Sequence, residues 1–372
     1  MLDVLIAPIE EFRRKWAAFA TCLGLGLAGA LVFSYLTAPL PWVIGPMFVT
    51  GVAAMAGVNV WVPRWLRAFM FAFMGALFGT TVTPDITLQA TGWLPSMAAV
   101  LFYVAVATGL IFAYLHWIAR LDSVTSYFSA APGGLLPMVV IGGSYGGDER
   151  TISLTQMSRL VVTVMVIPVA FRLFGGYHPT GATGVGISFA DITAHDALYM
   201  IAASVVAIPI AKLCRLPAPT LMGPMIAVGA LTLGGIVVSK VPDPLVAASQ
   251  LVIGGSIGAM FNGLRLREVA RTLWQGSVAA LLAIIVAIGF AFLVDSFSAV
   301  SAKGLILAFA PGGFAEMALI AFALGIDVTF VVAHQLVRFA FIVTVVPLLM
   351  AVAGFRPVNQ NAAADSADAG SN

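Results

Sequence analysis

Two short motifs recur in this sequence and carry residue types that bind anions. An Ala-Pro-Gly-Gly motif is followed at a fixed distance by Gln-x-x-Arg, and both recur 179 positions later. The repeated side chains are Gln156 and Gln335, and Arg159 and Arg338. Gln and Arg three positions apart share one helix face, and two guanidinium groups suit a carboxylate or another oxyanion. Both arginines fall in apolar segments, where such a charge lines a pathway or pairs with an acid from a neighbouring helix.

The Pro-Gly-Gly turns are a second candidate for the same site. Proline ends the incoming helix and glycine allows a positive φ, while the helix that follows points a partly positive N-terminus at an anion. A proline-kinked ordinary span is the alternative, but irregular backbone inside a bilayer survives only in protein or beside water. The predicted substrate-binding residues are Pro132, Gly133, Gly134, Gln156 and Arg159, then Pro311, Gly312, Gly313, Gln335 and Arg338.

The acids and the histidine near these motifs suggest further roles. Glu316 lies three residues past Gly313, where it caps its own helix, pairs with Arg338 or binds a coupling cation. Proton coupling through Glu316 and His334 is one prediction. Asp148 and Asp327 are paired by the repeat and are expected to cap the helices that follow. Three serines offer hydroxyls to a substrate or to backbone carbonyls; these are Ser123, Ser126 and Ser129.

Composition places these motifs in a membrane protein. Hydrophobic residues make up 61% of the 372 residues and charged residues 9%, against about 25% charged in soluble domains. No metal-ligand spacing, phosphate-binding loop or basic aromatic patch occurs in the sequence, so we expect no enzyme, no metal, no cofactor and no nucleic-acid partner. Cys22 and Cys214 are interpreted as packing residues.

Apolar runs predict ten spans and two broken segments in an all-α fold. The spans are 16–37, 42–61, 65–83, 93–118, 150–174, 195–212, 219–239, 244–263, 269–293 and 328–353. The broken segments, 122–146 and 298–325, contain the Pro-Gly-Gly turns. If both are re-entrant hairpins, each half has five spans and the halves are inverted. If both cross the membrane, there are twelve spans and the halves are parallel.

The distribution of positive charge favours the inverted arrangement. It leaves 13 of the 18 Lys and Arg residues on the cytoplasmic side and puts Arg172, Lys240 and Lys303 outside, with Arg159 and Arg338 within spans. The twelve-span arrangement divides the same charges 10 against 6. Because Lys and Arg concentrate on the cytoplasmic side, we predict two inverted repeats with both termini in the cytoplasm.

The duplication sets the predicted domain organisation. The segments are a cytoplasmic 1–15, a first membrane repeat 16–174, an external linker 175–194, a second repeat 195–353 and a disordered cytoplasmic tail 354–372. Repeated Gly-x-x-x-Gly pairs indicate close helix packing or a dimer face; these are Gly75 with Gly79 and Gly254 with Gly258. Inverted repeats with interrupted segments at matching positions outline a secondary transporter, although a duplicated scaffold without transport is an alternative.

The repeated stretches "PWVIGPM", "APGG", "LTQMSRL" and "AHQLVRF" resemble the bacterial AbrB family of integral membrane proteins. The likeness covers about residues 20–353. The family's labels, ammonia monooxygenase and regulator of gene expression, imply activities for which the sequence has no copper, iron or nucleic-acid site. The layout is also similar to that of citrate- and glutamate-type symporters, whose two inverted five-span domains each carry a Gly-Gly re-entrant loop.

Together these patterns predict a bacterial inner-membrane secondary transporter for a small, carboxylate-like organic anion. It would work by alternating access, coupled to protons or sodium. The predicted partners are the bilayer and the solute, and the sequence leaves open whether the protein forms a homodimer. The competing hypothesis is a membrane-embedded regulator that binds a small ligand without moving it.

Overall fold

The computed structural model describes residues 2–82, 91–174, 192–296 and 300–352, and every regular element in these ranges is a helix. Seven of the described helices are long and apolar enough to cross a membrane. The predicted all-α, membrane-type fold is therefore confirmed at this level. The arrangement as two inverted five-helix repeats remains a prediction, and most of the predicted linker and all of the predicted tail lie outside the described residues.

Matching helices occur in the two halves of the sequence. The first half contains α1 (Leu2–Tyr35), α2 (Pro41–Met55), α3 (Arg64–Gly79), α4 (Leu94–Ala113), α5 (Ser123–Ala130), α6 (Leu135–Ser144) and α7 (Glu149–Phe174). The second half contains α8 (Ala194–Leu213), α9 (Pro219–Leu233), α10 (Asp243–Gly258), α11 (Leu266–Asp295), α12 (Ala302–Phe309), α13 (Phe314–Ala323) and α14 (Val328–Val352). The bounds of α2 and α9 lie 178 positions apart, and those of α3 and α10, α5 and α12, and α6 and α13 lie 179 apart. The sequence repeat is thus also a repeat of local structure.

Three of the predicted spans form helices shorter than a full membrane span. The segments predicted as spans 42–61, 65–83 and 219–239 form α2, α3 and α9, which have only 15 or 16 residues, whereas a span needs about 20. Gly57 and Gly235, with φ of 92° and 68°, end α2 and α9, because the residue after each donates back to the helix. The hydroxyls of Thr80 and Thr81 donate to the last carbonyls of α3 at 2.7 Å.

The chain forms two compact units, and each contains segments from both halves of the sequence. Unit 1 consists of Met1–Thr91, Val164–Glu268 and Phe314–Val332. Unit 2 consists of Gly92–Thr163, Val269–Gly313 and Ala333–Asn372. Unit 2 therefore contains both Ala-Pro-Gly-Gly turns and both Gln-x-x-Arg motifs.

In unit 1, glycines bring the second helix of each half against the third helix of the other. A Cβ at Gly75 of α3 would overlap the Leu221 carbonyl of α9, and one at Gly254 of α10 would overlap the Val43 carbonyl of α2. Leu221 and Val43 are equivalent in the repeat. The predicted Gly-x-x-x-Gly spans therefore mediate close helix packing inside the chain.

In unit 2, Tyr103 of α4 helps to fix the end of α12. Its buried ring stacks on Phe309, the last residue of α12, with a centroid distance of 5.7 Å. The Tyr103 hydroxyl donates to the Ala283 carbonyl of α11 at 3.4 Å. This packing holds the end of α12, from which the second turn starts, against α4, and the Tyr103 hydrogen bond joins α4 to α11.

Candidate functional site

The two Ala-Pro-Gly-Gly turns have the same local structure at their start. The residue that follows α5, Ala131, is extended (φ −65°, ψ 124°), and so is Ala310 after α12 (φ −53°, ψ 137°). The proline that follows explains this, because proline disfavours the helical conformation of the residue before it. Gly134, which precedes α6, has φ 87°, as predicted for a turn glycine. Gly133, Gly312 and Gly313 do not have positive φ, so that part of the prediction is wrong for these three.

The first broken segment folds back on itself as a helical hairpin. The backbone N–H of Asp148, just after α6, donates to the Thr125 hydroxyl in the first turn of α5 at 2.8 Å. Gly142 of α6 packs against Phe128 of α5, with so little room that an added Cβ would lie 3.0 Å from the ring. The start of α5 and the end of α6 therefore lie together, as a re-entrant segment requires.

Two equivalent glutamines cap the helices that lead into the turns. The Gln156 amide nitrogen donates to the carbonyls of Phe128 and Ala131 at 2.8 and 3.1 Å. The Gln335 amide nitrogen donates to Leu307 and Ala310 at 3.1 and 3.2 Å. The last carbonyls of a helix have no partner within it, so each glutamine supplies the donor that α5 or α12 lacks.

The arginines are directed at the same turns. Arg159 Nη1 donates to the Ala131 carbonyl at 3.2 Å. Arg338 Nη1 donates to the equivalent Ala310 carbonyl, and its Nη2 donates to Gly312 at 2.8 Å and to the Gln335 side-chain oxygen. Each positive charge thus lies at a helix C-terminus, where the helix dipole is negative. The sequence predicted neither this capping role nor its carbonyl partners.

The two guanidinium groups form a buried concentration of positive charge. Arg159 is 8% exposed and Arg338 4% exposed, and the two charges interact electrostatically with each other. Within the described part of unit 2, no carboxylate lies within 4.0 Å of either group. The ion pair that was the alternative prediction is therefore absent from this part of the unit. A buried charge is costly unless it is compensated.

Several buried polar atoms around these motifs have no hydrogen-bond partner among the described residues. They are Ser129 Oγ, Thr155 Oγ1, Gln156 Oε1 and Arg338 Nε. Buried polar groups in native proteins are nearly always satisfied. Three of these atoms are on neutral side chains and the fourth belongs to the Arg338 guanidinium group, so both donors and acceptors are left for a polar ligand.

The other predicted residues have identifiable contacts. His334 is fully buried, and its Nε2 lies 2.8 Å from Ser96 Oγ, which donates to the Trp93 carbonyl. Glu316 lies in the first turn of α13 and interacts electrostatically with Arg67, which belongs to the same unit, unit 1. Of the predicted roles, this position favours capping of its own helix, because a carboxylate is stabilising in the first turn of a helix.

Asp148 and Asp327 cap the helices that follow, as predicted. Asp148 Oδ1 accepts from the Arg150 backbone, and Asp327 Oδ1 accepts from the Thr329 backbone at 2.8 Å. Ser126 donates to the Leu121 carbonyl at 3.3 Å, which is the backbone role predicted as the alternative for the serines. The turn prolines Pro132 and Pro311 are buried, as is Gly133, whereas Gly134, Gly312 and Gly313 are half-buried.

These features define a class of helical, membrane-type protein in which Gln-x-x-Arg on a long helix holds a Pro-Gly-Gly turn, twice in one chain. Residues 42–353 match the family described as Transition state regulatory protein AbrB. The chain belongs to the AbrB family, and the resemblance found in the sequence is confirmed.

Two relatives extend the likeness over most of the chain. The first is "Uncharacterized protein YhjN" of Bacillus subtilis (strain 168), 26% identical over 354 residues, which covers 87% of this chain and 90% of that protein. The second is "Putative regulator AbrB" of Escherichia coli (strain K12), 27% identical over 317 residues, which covers 84% and 90%. Neither name states a transported substrate.

Proposed function

We propose that this protein is a secondary transporter of a small, carboxylate-like organic anion. The observation that carries the proposal is the pair of buried guanidinium groups in unit 2, Arg159 and Arg338, without a carboxylate among the described residues of that unit. An anion would add to the partial compensation that the helix C-termini give these charges, and charge-assisted hydrogen bonds from arginine to a carboxylate are strong and directional.

The broken segments support transport over static binding. Interrupted helices at matching positions of a duplicated chain are typical of transporters, because unwound backbone supplies ligand contacts in the membrane. The hairpin formed by α5 and α6 and the matching bounds of α12 and α13 have this pattern. In the proposal the chain works by alternating access in the bacterial inner membrane, with both termini in the cytoplasm and no chemical conversion of the solute.

The coupling ion is the second part of the proposal. His334 and Glu316 are the candidates for proton coupling, since both side chains can bind a proton, Glu316 lies in the second broken segment and His334 lies on α14 four residues before Arg338. His334 has Ser96 as a hydrogen-bond partner through which a proton could be exchanged. Coupling to sodium is the other option, and an imposed gradient of each ion separates the two.

The test is uptake of radiolabelled short-chain carboxylates into proteoliposomes under a proton or a sodium gradient. We expect saturable uptake that Arg159→Lys reduces by at least about tenfold, since a charged hydrogen bond contributes about 1.5–3 kcal/mol. Arg172→Lys is the matched control, because Arg172 lies on the same helix but donates to Thr37. Saturable binding without flux under any ion gradient would contradict transport.

A membrane-embedded regulator is the second candidate function. It is favoured by the name of the Escherichia coli relative, "Putative regulator AbrB". The same buried site would then bind a small anion as a signal. Ligand binding that is unaffected by ion gradients, combined with zero counterflow in the same vesicles, is the result that this candidate requires.

A further inference from the structure

We infer that the two arginines have different roles: Arg159 binds the anion, whereas Arg338 positions its own turn. The inference rests on the proposed anion site and assigns its ligand. The two residues are equivalent in the sequence repeat, with Gln three positions before each and the same Ala-Pro-Gly-Gly turn upstream. Both motifs contain the same residues, so any difference between the two arginines comes from the contacts that they make.

Arg338 uses most of its hydrogen-bond donors within the protein. Its Nη1 donates to the carbonyls of Phe309 and Ala310, and its Nη2 donates to the Gly312 carbonyl and to Gln335 Oε1. Only Nε is left without a partner among the described residues. One N–H cannot form the paired hydrogen bonds that a guanidinium makes to a carboxylate, so Arg338 is a positioning residue.

Arg159 makes one of the equivalent contacts. Its Nη1 donates to Ala131, but Nε and Nη2 have no hydrogen bond to the described residues, and neither Gly133 nor Gln156 accepts from it. Nε and Nη2 form one edge of the planar guanidinium, which matches the two oxygens of a carboxylate. Arg338 donates from Nη2 of this edge to its own turn, whereas at Arg159 both Nε and Nη2 are available to a ligand.

Gln156 adds a second requirement for the ligand. Its side chain is 2% exposed and its Oε1 has no partner among the described residues, whereas the equivalent Gln335 Oε1 accepts from Arg338. Gln156 and Arg159 lie on one face of α7, so one ligand can receive hydrogen bonds from Arg159 and donate one to Gln156. A cationic donor would be repelled by the two guanidinium groups. The ligand class is thus a monocarboxylate with a neutral hydrogen-bond donor, such as a hydroxyl.

Calorimetry on the purified full-length protein tests this class with lactate, propionate and propionamide. We expect lactate to bind more tightly than propionate by about fivefold to tenfold, the value of one hydrogen bond, and propionamide not to bind. Arg159→Lys should weaken lactate binding about tenfold or more, because lysine cannot form the paired contact. Arg338→Lys should lower the melting temperature while affinity stays within about threefold of wild type.

Hydrogen exchange on the wild-type protein keeps the assignment testable if Arg338→Lys does not fold. Lactate should slow exchange in residues 131–138 and leave residues 310–317 unchanged. Equal losses of affinity in the two lysine variants, or protection confined to 310–317, would overturn the assignment. Equal affinity for lactate and propionate would overturn the role of Gln156. Binding that depends on Arg159 without any flux contradicts transport alone and leaves this inference standing.

Discussion

At the residue scale, the two glutamines are predicted to contribute to stability through their cap contacts. Gln335→Leu should destabilise more than Gln156→Leu, because only Gln335 also accepts from an arginine. Each buried unsatisfied group costs about 1–3 kcal/mol, so the melting temperature in detergent should fall clearly in both variants. Gln275→Leu is the control, since its one side-chain hydrogen bond to the described residues, donated to the Ala119 carbonyl, is 3.4 Å long. Unchanged melting temperatures in both cap variants would contradict the role.

Asp148 gives a second prediction, for stability against pH. A hydrogen bond from the Thr151 hydroxyl is the main cause that lowers the pKa of the Asp148 carboxyl below its ordinary value. A lowered pKa in the folded state means that the carboxylate stabilises the fold above the unfolded pKa, and this stabilisation is lost as the pH falls through the folded pKa.

The variant Asp148→Ala should therefore be less stable than wild type at neutral pH by about 1 kcal/mol, as for a lost N-cap. The gap should narrow as the pH falls from about 5 towards 3. Denaturation midpoints of wild type and Asp148→Ala, determined across this pH range, measure the difference in stability. A gap that stays constant with pH would show that the charge of Asp148 contributes nothing.

The sequence predicted which side chains form the candidate site but not which atoms these side chains contact. A buried arginine in an apolar span needs compensation, and this requirement alone is enough to identify Arg159 and Arg338 from their positions in the sequence. Their acceptors are backbone carbonyls 28 residues upstream, and backbone atoms carry no signature in a sequence. The difference between Gln156 and Gln335 was unpredictable for the same reason, since both lie in the same motif.

At the element scale, the helix breaks were predictable because proline and glycine act locally. The two broken segments and their bounds follow from Pro132, Pro311 and the glycines beside them. The early ends of α2 and α9 also have a local cause, in Gly57 and Gly235. The sequence analysis did not predict these helix ends, because apolar residues follow both glycines and hydropathy alone extends a span past a helix end.

Helix packing in unit 1 gives the third prediction. Gly75→Ala and Gly254→Ala should each lower the melting temperature, because the new methyl group would overlap a backbone carbonyl that cannot rotate away. Overpacking of this kind costs about 1–3 kcal/mol. Gly109→Ala is the matched control: it lies within α4, and nothing in the described structure is within 4 Å of a Cβ there. A similar response of all three variants would contradict the packing account.

At the scale of the whole molecule, the sequence predicted the duplication but not the way the two copies combine. Both units contain segments from each half of the chain, since in unit 1 the second helix of one half packs on the third helix of the other. The glycines that make this contact are visible in the sequence, but their partners, such as Leu221 for Gly75, are far away in it. A Gly-x-x-x-Gly pattern indicates close approach without naming the partner helix.

The membrane orientation of the whole chain gives the fourth prediction, from two exposed positions. In the inverted ten-span arrangement Lys240 lies outside and Arg265 in the cytoplasm, and in the twelve-span arrangement the two exchange sides. Both residues are exposed in the structure, so a cysteine at either position is open to reagents. Cys214 is exposed and Cys22 is buried, so Cys214→Ser provides a background with little reactivity.

We expect a membrane-impermeant maleimide added to intact cells to label Lys240→Cys and to label Arg265→Cys only after the membrane is opened. The reason is the positive-inside bias, since Arg265 belongs to a cluster with Arg267 and Arg271, whereas Lys240 has no other basic residue within ten positions on either side. The two variants control for each other, because the twelve-span arrangement predicts the reverse labelling pattern. Labelling of Arg265→Cys from outside would exclude inverted repeats, and with them the expectation that the two turns approach one site from opposite faces.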